Sequence, residues 1–468
     1  MKRALPSFVF RAVAMCSLVL LGLSYAPVVQ AQSGPVIQQL FGFACDSSVK
    51  VCPDGEQPNT LLQSADGNFY GTTGLRGTGN QPVGAIFKIT PSGQFTLLHT
   101  FVADQNGSYP NGAGPNSLVE GNDGFLYGTA SGGPFGNSGN GVAFKISKTG
   151  MFQIIHNFCS STDCSDSTNP FGLTLGDDGN FYGGSFGELW RMTPKGTVTA
   201  LHTFNQSVEG PTARGITLGS DGNLYGTALG GQTIFTTLFR LTSSGQFTIL
   251  HTWHYSAFPT SAPVQSADGN LYGVQNAEML FREARDGTGY TANTMTGPPA
   301  LESPLFAIGG DFWSVNNSSS PETMIQISPG GTVLQTIPFE GSNGSGFMDS
   351  LVQAGDGRLF GIADDGGTVQ SGQIGKGVVF VLDAGLAAPA PAFISFGPSA
   401  GKVGTTVMIH GRNFVGTTAV TFNGASAAFR VLNTGNIRAT VPAGATTGPI
   451  SVTNKGGITA STSHYTVQ

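Results

Sequence analysis

Asp66-Gly67-Asn68-Phe69-Tyr70-Gly71-Thr72-Thr73, followed by Gly84-Ala85-Ile86-Phe87-Lys88-Ile89 and Leu97-Leu98-His99-Thr100-Phe101, is the first copy of a pattern that fills most of this 468-residue chain. Its kernel, Asp-Gly-x-apolar-aromatic-Gly, returns at 123–128, 178–183, 221–226, 268–273 and 356–361, and in worn form as Gly309-Gly310-Asp311-Phe312-Trp313-Ser314. Successive copies start 57, 55, 43, 47, 41 and 47 residues apart, a period typical of four-stranded propeller blades. Each copy reads as four strands. An apolar run such as Leu61-Leu62-Gln63 comes first, and Asp-Gly supplies the positive φ of a tight hairpin before the second strand. A Gly-rich loop leads to a third strand, and turns such as Pro91-Ser92-Gly93 or Ser243-Ser244-Gly245 lead to a fourth, at 95–101, 152–158, 198–204 and 247–253. The expected fold is therefore all-β, with a seven-bladed β-propeller over residues 32–385.

The ends of the repeat region carry the closure argument. The last copy stops after its third strand, Val378-Val379-Phe380-Val381-Leu382, while the first is preceded by an orphan strand, Val36-Ile37-Gln38-Gln39-Leu40-Phe41. Pairing these two would complete the seventh unit and hide two sheet edges. Together the repeats resemble the bacterial GloVer tandem repeats over residues 36–385, least well in the sixth copy, where Asp-Gly and Tyr are both lost. That resemblance implies an exported propeller-like protein and brings no assigned reaction.

Outside the repeats, the chain opens with Lys2, Arg3 and Arg11, an apolar run from about residue 13 to 23, and Val29-Gln30-Ala31, the three parts of a secretory signal. Residues 1–31 are expected to be removed, leaving no span long enough to cross a bilayer. Secretion or display at the surface of a bacterium follows, with the periplasm as the alternative compartment. The whole chain has 21 Lys+Arg against 27 Asp+Glu, a net charge of −6. Loss of the three leader cations makes the balance more acidic still, which disfavours phosphate-led nucleic-acid binding. In an oxidising compartment the close pairs Cys45 with Cys52 and Cys159 with Cys164 read as local disulfides rather than metal ligands.

Ala384-Gly385-Leu386-Ala387-Ala388-Pro389-Ala390-Pro391 marks a semi-stiff linker, placed at 386–392. Beyond it, residues 393–468 carry Gly404-Thr405-Thr406-Val407-Met408-Ile409-His410-Gly411, Asn413-Phe414 and Val420-Thr421-Phe422-Asn423-Gly424, short alternating strands with regular turns. Their order resembles the IPT/TIG family of immunoglobulin-like domains. The resemblance implies an Ig-like sandwich used as a spacer or interaction module, without an active site.

Repetition also decides which residues are structural. Asp66, Asp123, Asp178, Asp221, Asp268 and Asp356 recur in hairpin turns and read as turn formers rather than calcium ligands. His99, His156, His202 and His251 recur on fourth strands, far from the axis, and cannot converge on a metal. Specificity is expected where the pattern varies. Loops after the second and fourth strands share one face, and seven residues before each kernel stands a variable position: Asn59, Asn116, Phe171, Arg214, Ser261, Glu302 and Asp349. This set is the candidate ligand-binding ring, with an extracellular glycan or protein as partner and no cofactor. Three roles are compatible with it. The first is a non-enzymatic binding or scaffold protein. The second is a polysaccharide lyase or glycoside hydrolase using Glu302 and Asp349 with Arg214, and the third a structural adhesion component. No G-x-S-x-G, phosphate-loop or zinc motif supports the enzyme.

Overall fold

The computed structural model describes residues 34–468 apart from 47, 49–51, 75–81, 106–107, 133–139, 160–167, 206–208, 210–211, 230–234, 255–258, 260, 297–300, 302–303, 347–349 and 372. Residues 1–31, where the signal was expected, lie outside this set. Every regular element among the described residues is a strand.

The first repeat forms β2 (Pro58–Gln63), β3 (Phe69–Thr73), β4 (Pro82–Ile89) and β5 (Phe95–Val102), hydrogen-bonded in that order. Six further antiparallel sheets of four strands follow the same plan. In the last of them, Leu351–Gln353, Leu359–Ala363 and Gln373–Leu382 are joined by β1 (Ile37–Asp46), which pairs from Ile37↔Leu382 to Asp46↔Gln373. The orphan strand therefore sits where the terminal pattern placed it. Ser350 Oγ donates to Leu61 O (2.8 Å) and Phe69 stacks on Phe360 (4.2 Å), so the seventh sheet packs on the first.

Burial follows from this face-to-face succession. In β3, Phe181–Ser185, Leu271–Gln275 and Leu359–Ala363 every residue is buried, because each second strand lies between two neighbouring sheets. Fourth strands have an exposed side, as Phe95–Val102 illustrates.

The kernel residues have direct physical jobs. Asp66 Oδ1 accepts the Asn68 amide while Tyr70 Oη donates to Asp66 Oδ2 (2.9 Å), tying turn to strand. The same Tyr–Asp bond recurs for Tyr127, Tyr182, Tyr225 and Tyr272 at 2.7–2.9 Å. Burial alone would raise the Asp66 carboxyl. Hydrogen bonds from Asn68 and Tyr70, together with nearby Lys148, outweigh it and hold the group below the usual carboxylate range. The closing glycine makes room for an aromatic ring: a Cβ on Gly71, Gly128 or Gly361 would meet Phe87, Phe144 or Phe380 on the paired third strand. In the worn copy Ser314 replaces that glycine, and its partner is Ile325 instead of an aromatic residue.

The fourth-strand histidines are packing groups. His99 stacks on Phe152 (3.9 Å), His202 on Phe247 (3.8 Å) and His251 on Tyr290 (3.7 Å), each ring belonging to the following sheet. Burial lowers the His99 pKa to about 4.

Cys45 and Cys52 form a disulfide, with Cα atoms 4.1 Å apart. They also stand beside Glu56, but oxidised sulfurs are not thiolate metal ligands. Cys159 is disulfide-bonded as well; Cys164 lies outside the described residues.

The C-terminal part is a sandwich. One sheet holds Ala392–Gly397, Thr406–Arg412, Asn436–Thr440 and Ala428–Asn433, the other Ala425–Ser426, Ala419–Phe422, Ile450–Asn454 and Gly457–Ala460. Val407, Ile409, Phe414, Phe422, Ile437 and Tyr465 belong to its own core.

Candidate functional site

The variable positions ahead of the first strands are not equivalent. Asn59 Nδ2 donates to Pro115 O of the next sheet (2.9 Å) and its Oδ1 accepts from Thr72 Oγ1 (2.5 Å). Asn116 repeats the arrangement with Pro170 O (2.8 Å) and Thr129 Oγ1 (2.7 Å). Both amides are thus engaged in joining one sheet to the next. Ser261 is buried, and its carbonyl accepts from Thr227 Oγ1 of the preceding sheet (3.2 Å). Phe171 is half-buried against the core around Tyr182 and Phe239. The Arg214 side chain, Glu302 and Asp349 lie outside the described residues.

Near Phe171 the chain makes its tightest connection between second and third strands, Phe181–Ser185 to Glu188–Met192, and Phe186 at its tip is 55% exposed. An exposed aromatic ring beside a half-buried one gives this part of the loop side an apolar element.

The opposite, Asp-Gly side is occupied by the sandwich. Because β1 supplies the missing fourth strand, the chain leaves the seventh sheet at the end of its third strand, on the side of the Asp-Gly turns. Residues 383–391 carry no strand, and Ala387 O accepts from Gln353 Nε2 (3.0 Å) while Pro389 O accepts from Asn454 Nδ2 (3.0 Å). Farther on, Arg412 Nη2 donates to Gln265 Oε1 (2.9 Å) and Leu218 O (3.4 Å). Asn433 Nδ2 donates to Asn122 Oδ1 (2.9 Å) and Glu120 O (3.3 Å). Burial pulls the Arg412 pKa down, partly offset by Asp177.

Between these first strands and the sandwich lies a cavity of about 380 Å³, with Leu62, Leu118, Leu175, Leu218, Val352 and Ile394 among its lining. Sequence reasoning did not find this contact. A signal was present: the strand deficit of the seventh copy fixes the side from which the chain departs.

An all-β repeat protein, its last four-stranded sheet completed by its N-terminal strand and an immunoglobulin-like domain on its turn side, is the class these features define. Residues 42–186 match the Gloeobacter/Verrucomicrobia repeat, and residues 391–467 match the IPT/TIG domain. The chain therefore carries a match to the Gloeobacter/Verrucomicrobia repeat in its N-terminal part and an IPT/TIG domain at its C-terminal end.

No curated protein matches it. Among solved structures, it resembles an extracellular domain assigned to a hybrid two component system of B. thetaiotaomicron, at 11% identity and a TM-score of 0.51, covering 93% of this chain and 60% of that one. A second extracellular domain from that organism, assigned to a one component system, gives 11% identity and 0.49 over 92% of this chain and 60% of that one. The calcium-binding protein regucalcin of Agrobacterium tumefaciens gives 14% and 0.38 over 58% of this chain and 90% of its own. The chain thus spans about 60% of the length of the two extracellular domains. Among the described residues no helix is long and apolar enough to cross a membrane.

Proposed function

We propose that this is an exported binding or scaffold protein, a seven-bladed β-propeller whose loop face engages a glycan or protein ligand outside the cell. The circular succession of four-stranded sheets and their closure by β1 support the propeller reading. The N-terminal charge and hydropathy pattern supports export, and the B. thetaiotaomicron extracellular domain with a similar fold is consistent with it.

The observation that carries the choice of face is the position of the sandwich. Arg412 and Asn433 hold it over the Asp-Gly ends of the first strands, which leaves the loop side, with its variable lengths and Phe186, as the face open to a large ligand. Rigid repeats below and irregular loops above is the usual division between scaffold and recognition.

A glycan array probed with the full chain tests this reading. Binding should fall when Phe171→Ala or Phe186→Ala is introduced and should survive Arg430→Ala beside the turn at Gly124. Retained binding in both loop-side variants would sink the choice of face. Polysaccharide turnover that disappears in Glu302→Gln/Asp349→Asn would replace binding by catalysis.

A further inference from the structure

The cavity between the sandwich and the first strands has the makings of a ligand site, and it lies on the side away from the loop face. Part of its wall is apolar: Leu62, Leu118, Leu175 and Val352 come from four different sheets, and Ile394 comes from the sandwich. These side chains are half-buried: Leu62, Leu118, Leu175 and Val352 pack partly on the cores of the repeat sheets and also line this space. An apolar space of a few hundred cubic ångströms with a small number of converging polar groups is the usual form of a small-molecule pocket.

The polar groups restrict the chemistry. Arg412 is the one cation among the described lining residues. Its Nη2 is committed to Gln265 and Leu218, while Nε and Nη1 donate to no group among the described residues. Of the two anions, Glu120 is spent: it pairs with Lys148 at 2.6 Å and accepts from Ser64 Oγ and the Ala65 amide, both at 2.9 Å. Asp177 points its Oδ2 toward the turn at Gly222 and makes no ion pair with Arg412 among the described residues. A partly desolvated guanidinium with unspent N–H groups on Nε and Nη1 suits a carboxylate, which accepts a charge-assisted hydrogen bond from either of them. Asn433 and Asn436 add neutral polar edges without adding charge.

We propose that this cavity binds a small amphipathic monocarboxylic acid, its carboxylate on Arg412 and its apolar part among Leu62, Leu118, Leu175 and Val352. The site exists only while the sandwich is docked, since that domain contributes Arg412 and Ile394. Binding there would strengthen the attachment of the sandwich, because the ligand bridges both parts and stabilises the state it binds.

Calorimetry on the full chain, with octanoate, octanol and octylamine as probes, tests the assignment. Octanoate should bind with one site per chain, octanol about tenfold more weakly and octylamine more weakly still. Arg412→Gln should weaken octanoate about tenfold while leaving octanol nearly unchanged, and Leu118→Trp, which fills the space from a first strand, should abolish both. Since Arg412→Gln also removes a contact of the sandwich, the Leu118→Trp variant provides a second, separate arm. Absence of octanoate binding, equal binding of octanoate and octanol, or undiminished binding by Leu118→Trp overturns the proposal. Phe171→Ala and Phe186→Ala should leave octanoate binding unchanged, so failure here and failure of the loop-face reading are distinguishable.

Discussion

The closing glycine of the kernel shows how one missing side chain sets a repeat. At Gly128, a Cβ would press on the Phe144 ring and on Ser117 O, so the aromatic ring can lie flat over the second strand only while the position is bare. Gly128→Ala should cost about 1–3 kcal/mol, measured as a lower urea midpoint. The pairing of Ser314 with Ile325 is the natural counterpart, since a smaller partner on the third strand accepts a larger residue opposite. His99 provides a separate test through acid. Its folded-state pKa, about 4, lies below the ordinary value of 6.5 because burial disfavours the cation. The unfolded chain therefore takes up a proton first, and stability is lost as pH falls from about 6.5 toward 4. His99→Phe keeps a ring against Phe152 and removes that proton. Its thermal midpoint should drop less than that of the native protein between pH 7.5 and pH 5.

At the scale of elements, β1 is the piece that completes the last repeat sheet. It covers an edge ten residues long, Gln373–Leu382, whose inner part is fully buried. Deleting residues 35–46 should expose that edge and convert a monodisperse protein into aggregates, read by light scattering. A milder change, Cys45→Ser with Cys52→Ser, should leave pairing intact and cost about 2–3 kcal/mol, as expected for a short disulfide loop.

Most of the element plan was legible in the chain for a physical reason. Tight hairpins require positive φ, so Asp-Gly punctuates each copy, and a motif used seven times is hard to misread even where 309–314 has lost its letters. What the single sequence hid was the work of Asn59 and Asn116. Their polar side chains look available for a ligand, but each is consumed by a carbonyl more than fifty residues away. No local pattern encodes that partner. The same holds for Arg412 and Asn433, whose acceptors Leu218, Gln265, Glu120 and Asn122 lie at or just beyond the ends of first strands in distant repeats.

For the molecule as a whole, the sandwich is a cover as well as an appendage. Ending the chain after residue 383 would uncover Leu62, Leu118, Leu175 and Val352. The shortened protein should bind the dye ANS more strongly than the full chain, while the isolated 392–468 segment, with its own core around Phe414 and Tyr465, should fold by itself. Equal dye binding by the two forms would show that those leucines are shielded without the domain.

The clasp between Ile37 and Leu382 also sets a timetable. During synthesis the opening strand emerges hundreds of residues before its mate exists, so it must wait, unmated, while six sheets are made. It can pair only once the third strand of the last sheet has been made. Joining the two ends of the repeat region is thereby made a late step, one that waits on the last strand to be synthesised.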